Sequence, residues 1–251
     1  MSKQQKSKWK PKDMRFVAFL DILGFKDLVL RSTHDHVYNL LHQISITKKK
    51  LEHLINDDEE FELSGDAGIN IVRFSDSIGV FSKKDDLDNF KMFSESVNFI
   101  FASAILQNIP LKGGMAYGEI TLNQTEQICF GQPIIDAYLI EEEVGYFGVV
   151  AHNSIDAYID FHSEIPDALL SSHYFSVATP LKTGLIYHRN AHWFNTLVRL
   201  EKPKDGKSYV ESVVRKFRNT VSGTPRRYVD RTLDVLKNTE IDKNLLAVYS
   251  D

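Results

Sequence analysis

Two aspartates stand where they could do chemistry. Asp21 ends the apolar run Phe16-Val17-Ala18-Phe19-Leu20, and Asp76 lies in the turn-forming triplet Ser75-Asp76-Ser77 between INIVRF and IGVF. An acid ahead of a glycine turn often only caps a helix, and an aspartate between serines often only forms a turn. At the ends of neighbouring strands, the two would do more. Two carboxylates brought together repel unless a cation or a proton sits between them. Hard oxygen ligands that leave room for phosphate oxygens suit Mg²⁺ or Mn²⁺. A pair of such ions can hold the attacking and leaving oxygens of an in-line phosphoryl transfer. The residues after Asp21 fit this chemistry. Gly24 lets the backbone approach a ligand closely, and the first amides of a following helix point outward without intrahelical partners, which suits a triphosphate. Phe25 is expected to pack inward while its N–H faces the phosphates. No Walker lysine motif is present, which excludes a P-loop.

The elements that must position these acids can be read from periodicity. Residues 15–21 predict a buried strand. Residues 35–56 have helical spacing and 55–68 form an acidic loop. Residues 69–82 predict two short strands about a tight turn at Ser75–Ser77. A helix over 85–108, a glycine-bearing strand over 111–122, a helix over 132–143 and a strand in GYFGVVAH follow. Residues 165–190 hold at least one more strand pair. The order predicts an α/β (α+β) fold with a mixed sheet around a ferredoxin-like β-α-β-β-α-β core. In such a core the first strand lies beside the hairpin, which brings Asp21 and Asp76 to one edge. The expected division is a flexible basic arm over 1–14, a main domain over 15–203 and a C-terminal helical extension over 204–251.

The chain has 251 residues, a net charge of −4 and one cysteine, Cys129. Those values give no global field for nucleic acid, no internal disulfide and no cysteine-based zinc site. The N-terminal stretch lacks the apolar core of a signal peptide and no run is long enough to cross a membrane, so a cytoplasmic protein is expected. The basic segment RKFRNTVSGTPRRYVDR is expected to form ion pairs or pack at an interface. His34 and His36 read as a helix start.

Four pieces of the chain, in order, resemble the class III nucleotidyl cyclases. FLDILGFKDL is similar to that family's first-metal strand and phosphate turn, RFSDSIGVF to its second-metal hairpin, LKGGMAYGEI to its Arg-x-Gly-x-x-x-Gly strand, and FGQPIIDAYLIEEE to its dimer-interface helix. The resemblance implies that Asp21 and Asp76 bind two divalent ions, Mn²⁺ or Mg²⁺, and that Ile22 lends a backbone carbonyl. It implies that Gly24, Phe25 and Lys26 present backbone to the phosphates and that Lys112 reaches the triphosphate. It also implies a homodimer with active sites at its interface.

The departures from the pattern fall on the base-reading and transition-state positions. Val72 replaces the base-selecting lysine, and Ile135 and Leu139 replace the asparagine and arginine of the interface helix. A group of short pyrimidine cyclases of bacterial anti-phage defence is similar in GGMAYGE and in the AYxxEEE stretch. Those proteins make a cyclic nucleotide from UTP or CTP that activates a separate effector. The resemblance implies a uridylate or cytidylate cyclase; the alternatives are an inactive cyclase-like dimerisation or nucleotide-sensing module, or a purine cyclase. A diguanylate-cyclase-like reading lacks its hallmark turn. Val72, Arg73, Tyr117 and Tyr138 are the candidates for a base or ribose pocket, although alternation turns Arg73 away from Val72. Lys182 and Arg189 are candidates for a replacement cation.

Overall fold

A computed structural model describes residues 9–39, 41–42, 68–123, 125–219 and 221–242. The first strand, β1, spans Lys12–Ile22 and leads through Leu23 and Gly24 into the short helix α1, Phe25–Arg31. A hairpin of β2, Ile69–Phe74, and β3, Ser77–Ser82, follows, then the long helix α2, Leu87–Leu106. The strand β4 covers Leu111–Asn123, β5 covers Ile128–Phe130, and the helix α3 covers Gln132–Glu143. Beyond lie β6, Val149–Ala151, α4, Asn153–Phe161, α5, Asp167–His173, and the hairpin β7, Tyr174–Leu181, with β8, Gly184–Ala191. Three helices complete the described chain: α6, Trp193–Glu201, α7, Gly206–Lys216, and α8, Arg226–Lys237.

The strands form one mixed sheet in the order β2-β3-β1-β4-β6-β8-β7, with β5 paired to β4. The β2-β3-β1-β4 part is antiparallel throughout, and β6 joins β4 in parallel. That strand order is the expected β-α-β-β-α-β core with further strands on one side.

Alternation divides the sheet into two faces. Phe16, Ala18, Leu20 and Ile22 point into the main core against α2. There Phe16 packs on Phe90 and Phe93, with ring centroids 5.2 and 5.6 Å apart. Helix α2 forms where the sequence predicts it, and Asp86 caps it by accepting from the Asn89 amide. Val17 belongs to a smaller cluster on the opposite face, with Phe81, Ala116 and Ala137. Helix α3 covers part of that face.

Several details depart from the sequence reading. The loose arm expected over 1–14 ends earlier: β1 already pairs Lys12 with Thr121, and Lys12 Nζ lies 2.8 Å from Glu119. Trp9 packs on the smaller cluster, its ring 4.8 Å from the buried Arg15 guanidinium. Of the helix expected over 35–56, residues 35–39 and 41–42 are helical, and residue 40 and 43–56 lie outside the described residues. The C-terminal helices share the main core, to which α7 contributes Val210, Val213 and Val214 and α8 contributes Val229, Leu233 and Leu236. Two arginines of this segment form ion pairs, Arg215 of α7 with Glu211 and Arg218, in the short 3₁₀ turn Phe217–Asn219 after α7, with Asp230.

Candidate active site

The β2–β3 turn and the end of β1 meet. Asp21 pairs with Ser77 across β1 and β3, and the Ile22 amide donates to the Asp76 carbonyl over 3.1 Å. The hairpin is a two-residue loop, Ser75–Asp76, with Phe74 opposite Ser77. Ser75 has φ +56°, a left-handed conformation that usually calls for glycine. The tightness of this turn sets Asp76 beside Asp21 rather than further along the sheet edge.

Asp21 lies on the face away from the main core. Directly opposite cross-strand residues share a face, so Asp21 shares its face with Ser77 and with Lys112, its partner on β4. By the same register Val72 and Phe74 are on this face, since Val72 pairs with Gly79 and Phe74 with Ser77. Phe19 is there too, with its ring edge-on to Tyr138 at 5.5 Å. The Asp21 carboxyl is pushed up to about 7. Burial is the largest cause, the charges of Glu141 and Asp76 add to it, and Lys112 opposes it.

That charge balance is the test of fit for a divalent cation. Burial first, and then the two neighbouring carboxylates, favour a proton on Asp21, and a hard cation would take the proton's place. Asp21, Asp76 and the Ile22 carbonyl are the donors that would hold it. Among the described residues no three His, Cys, Asp or Glu side chains are arranged to hold a metal by themselves. Water and phosphate oxygens would complete the coordination, as is usual for Mg²⁺.

The turn after Asp21 has the expected form. Gly24 adopts φ +75° as the residue before α1, no side chain caps the helix, and a Cβ at Gly24 would meet open space. Phe25 packs against the main core and Lys26 is exposed.

Lys112 has a partner that the expectation did not include. It is buried, with Nζ 2.8 Å from the Glu141 carboxylate and 2.9 Å from the Glu141 backbone carbonyl. Glu141, on α3, is the one site residue the sequence reading passed over. Its spacing carried a signal: Ile134, Ala137 and Glu141 form the inward stripe of α3, and an acid on such a stripe needs a partner.

Tyr117 lies away from the pocket expected for it. It pairs with Phe16, so it lies on the core face, where its ring packs on Phe16 and Tyr158 and its hydroxyl donates to Asp85 at 2.7 Å. It shares no face with Val72 or Tyr138. Arg73 pairs with Ile78 and also points away from Asp21, its guanidinium donating to the Leu41 carbonyl. Arg189 is engaged with Asp156 at 2.7 Å, whereas Lys182 is exposed and contributes to the field at Glu141.

A scan of protein-family models and a search of curated proteins find no match to this chain. Among solved structures it is similar to a bacterial light-regulated adenylyl cyclase, with TM-score 0.49 and 11% identity over 72% of this chain and 91% of that one. It is similar to the catalytic core of a rhodopsin-guanylyl cyclase with converted specificity in complex with ATPαS, with TM-score 0.47 and 13% identity over 72% of this chain and 96% of that one. A third likeness is to a class III adenylyl cyclase-like ATP-binding protein from Pseudomonas aeruginosa, with TM-score 0.39 and 12% identity over 59% of this chain and 35% of that one. At these identities and TM-scores the likenesses carry no argument about chemistry.

Proposed function

We propose that this chain is a nucleotidyl cyclase acting on a pyrimidine ribonucleoside triphosphate, UTP ahead of CTP. The observation that supports it is the meeting of Asp21 and Asp76 at one sheet edge, with the Asp21 carboxyl raised by burial and by its neighbours and a tight uncapped turn next to it. In the reaction the 3′-oxygen bonds to the α-phosphorus and gives up its proton. The bond from that phosphorus to the oxygen bridging the β-phosphorus breaks, and pyrophosphate leaves. Two divalent ions, when bound, would supply activation of the 3′-hydroxyl and neutralisation of the leaving group. The chain's own residues do the rest. Asp21 and Asp76 hold the ions, and the amides of Phe25 and Lys26 hold the phosphates. Val72 and Tyr138 border the base.

The preference for a pyrimidine rests on Val72, which offers no hydrogen bond to a purine edge, and UTP over CTP rests on the resemblance alone. The cyclic product would act as a second messenger for a separate effector in anti-phage defence. A homodimer is part of the proposal. Phe74 is 83% exposed, and Val72, Ile135 and Leu139 lie open as well, an apolar face that a second copy would cover. No helix of the described residues is long and apolar enough to cross a membrane.

The open positions of Ile135 and Leu139, where the family has polar groups, favour the inactive module as the competing reading. Asp76→Asn separates the two. It should abolish Mn²⁺-dependent pyrophosphate release from UTP by a wild-type protein that is active, while thermal melting stays near the wild-type value. No release by the wild type supports the module, and near-normal release by the variant would put the metals elsewhere.

A further inference from the structure

We infer that Glu141 is a positioning residue for the proposed cyclisation: it holds Lys112 as a fixed counter-charge beside Asp21 and keeps that ammonium away from the triphosphate. The inference rests on the two-metal reading of Asp21 and Asp76.

Lys112 stands opposite Asp21 in the β1–β4 register. Two of its three donors are directed at one residue, the carboxylate and the backbone carbonyl of Glu141. The side chains of Lys112 and Glu141 are only 10% and 5% exposed. Pulling such a pair apart strands a buried charge, so it resists exchange of partners. The sheet is built to admit the contact. A Cβ at Gly114 would run into the carbonyl of Ala137 and the amide of Glu141, so only glycine there lets α3 lie this close to β4.

The charges explain what the pair does. Asp21, Asp76 and Glu141 bring three carboxylates, and Lys112 brings one ammonium. An ammonium alone beside Asp21 would repel a divalent cation. Glu141 cancels that repulsion and leaves the lysine to limit carboxylate crowding. A lysine meant for the triphosphate would gain nothing from a buried acid that competes for the same donors.

The test uses the full chain and two affinities measured without turnover. Free Mn²⁺ by electron paramagnetic resonance reports metal binding, and calorimetry with UTP and Ca²⁺ reports nucleotide binding. Removing one unit charge near a partly hydrated cation site changes binding by on the order of tenfold. Glu141→Gln should therefore weaken Mn²⁺ about tenfold and tighten UTP, because Lys112 is released. Opposite shifts are the signature, since simple structural damage would weaken both. The paired variant Glu141→Gln/Lys112→Met, uncharged and similar in shape, guards against misfolding of the single variant. It should bind both Mn²⁺ and UTP close to the wild-type values. A strong loss of UTP binding in the pair would mark Lys112 as a triphosphate ligand and overturn the inference. Unchanged affinities, or affinities shifted together, in Glu141→Gln would overturn it as well. A wild-type chain that binds no Mn²⁺ overturns the two-metal reading and the inference with it.

Discussion

Replacing Asp21 by Asn should stabilise the metal-free protein and remove the proposed activity. The folded state holds this carboxyl at about 7, against an ordinary value of 3.8. A tenfold change in proton affinity is worth about 1.4 kcal/mol, so the ceiling is about 4 kcal/mol. Asp21 is partly exposed, and solvent screening reduces the expectation to about 1–2 kcal/mol. The sign follows from linkage. Below 3.8 both states hold the proton and the wild type bears no penalty. Between 3.8 and about 7 the unfolded chain releases its proton while the folded chain keeps it, so stability falls as pH rises. Above about 7 the penalty is complete. Urea denaturation of both proteins with a chelator present, at about pH 8, 5.5 and 4, reads this directly. The variant should lead by about 1–2 kcal/mol at the highest pH, by about half as much at the middle one and by almost nothing at the lowest. A variant less stable than wild type at the highest pH, or a gain that does not shrink on acidification, would refute the reasoning.

Three further outcomes follow from the same geometry. Lys112→Met strands the buried Glu141 carboxylate and should destabilise the fold by about 3–5 kcal/mol, most of it recovered when Glu141→Gln is added; urea midpoints check both. Ser75→Gly relieves a left-handed residue worth about 1–2 kcal/mol, offset by about 0.5–1 kcal/mol of glycine entropy, so a small net stabilisation is expected in the same assay. Leu139→Glu adds a charge to the open apolar face and should shift sedimentation from dimer to monomer while far-UV circular dichroism stays that of the wild type. A wild-type chain that sediments as a monomer would contradict the dimer.

The order of the four core strands, β2-β3-β1-β4, was legible because its signals are local, whereas the places of β6, β8 and β7 were not read. The apolar run into Asp21, the turn residues of the β2–β3 hairpin and the period of α2 each point to one element, and the connections leave little choice of sheet order. The meeting of Asp21 and Asp76 followed from that topology. What was missed lies in parity and in the third dimension. Lys112 and Tyr117 are five positions apart on β4, an odd spacing that puts them on opposite faces, so they could not serve one pocket. The partner of Lys112 was hidden because Glu141 sits on a helix whose approach to the sheet depends on Gly114, a contact that no sequence window contains. The β5 strand, three residues long, is too short to show a period. The early start of β1 at Lys12 owes more to pairing with β4 than to its own polar residues.

The proposed activity turns a pyrimidine ribonucleoside triphosphate into its cyclic nucleotide. The most direct test incubates it with equimolar ATP, GTP, CTP and UTP and Mn²⁺ and identifies the products by mass. 3′,5′-Cyclic UMP is expected as the main product, cyclic CMP behind it, and pyrophosphate in equal amount to the cyclised nucleotide. Cyclic AMP or cyclic GMP as the main product would contradict the pyrimidine assignment, and no cyclic product with any of the four would contradict the enzyme.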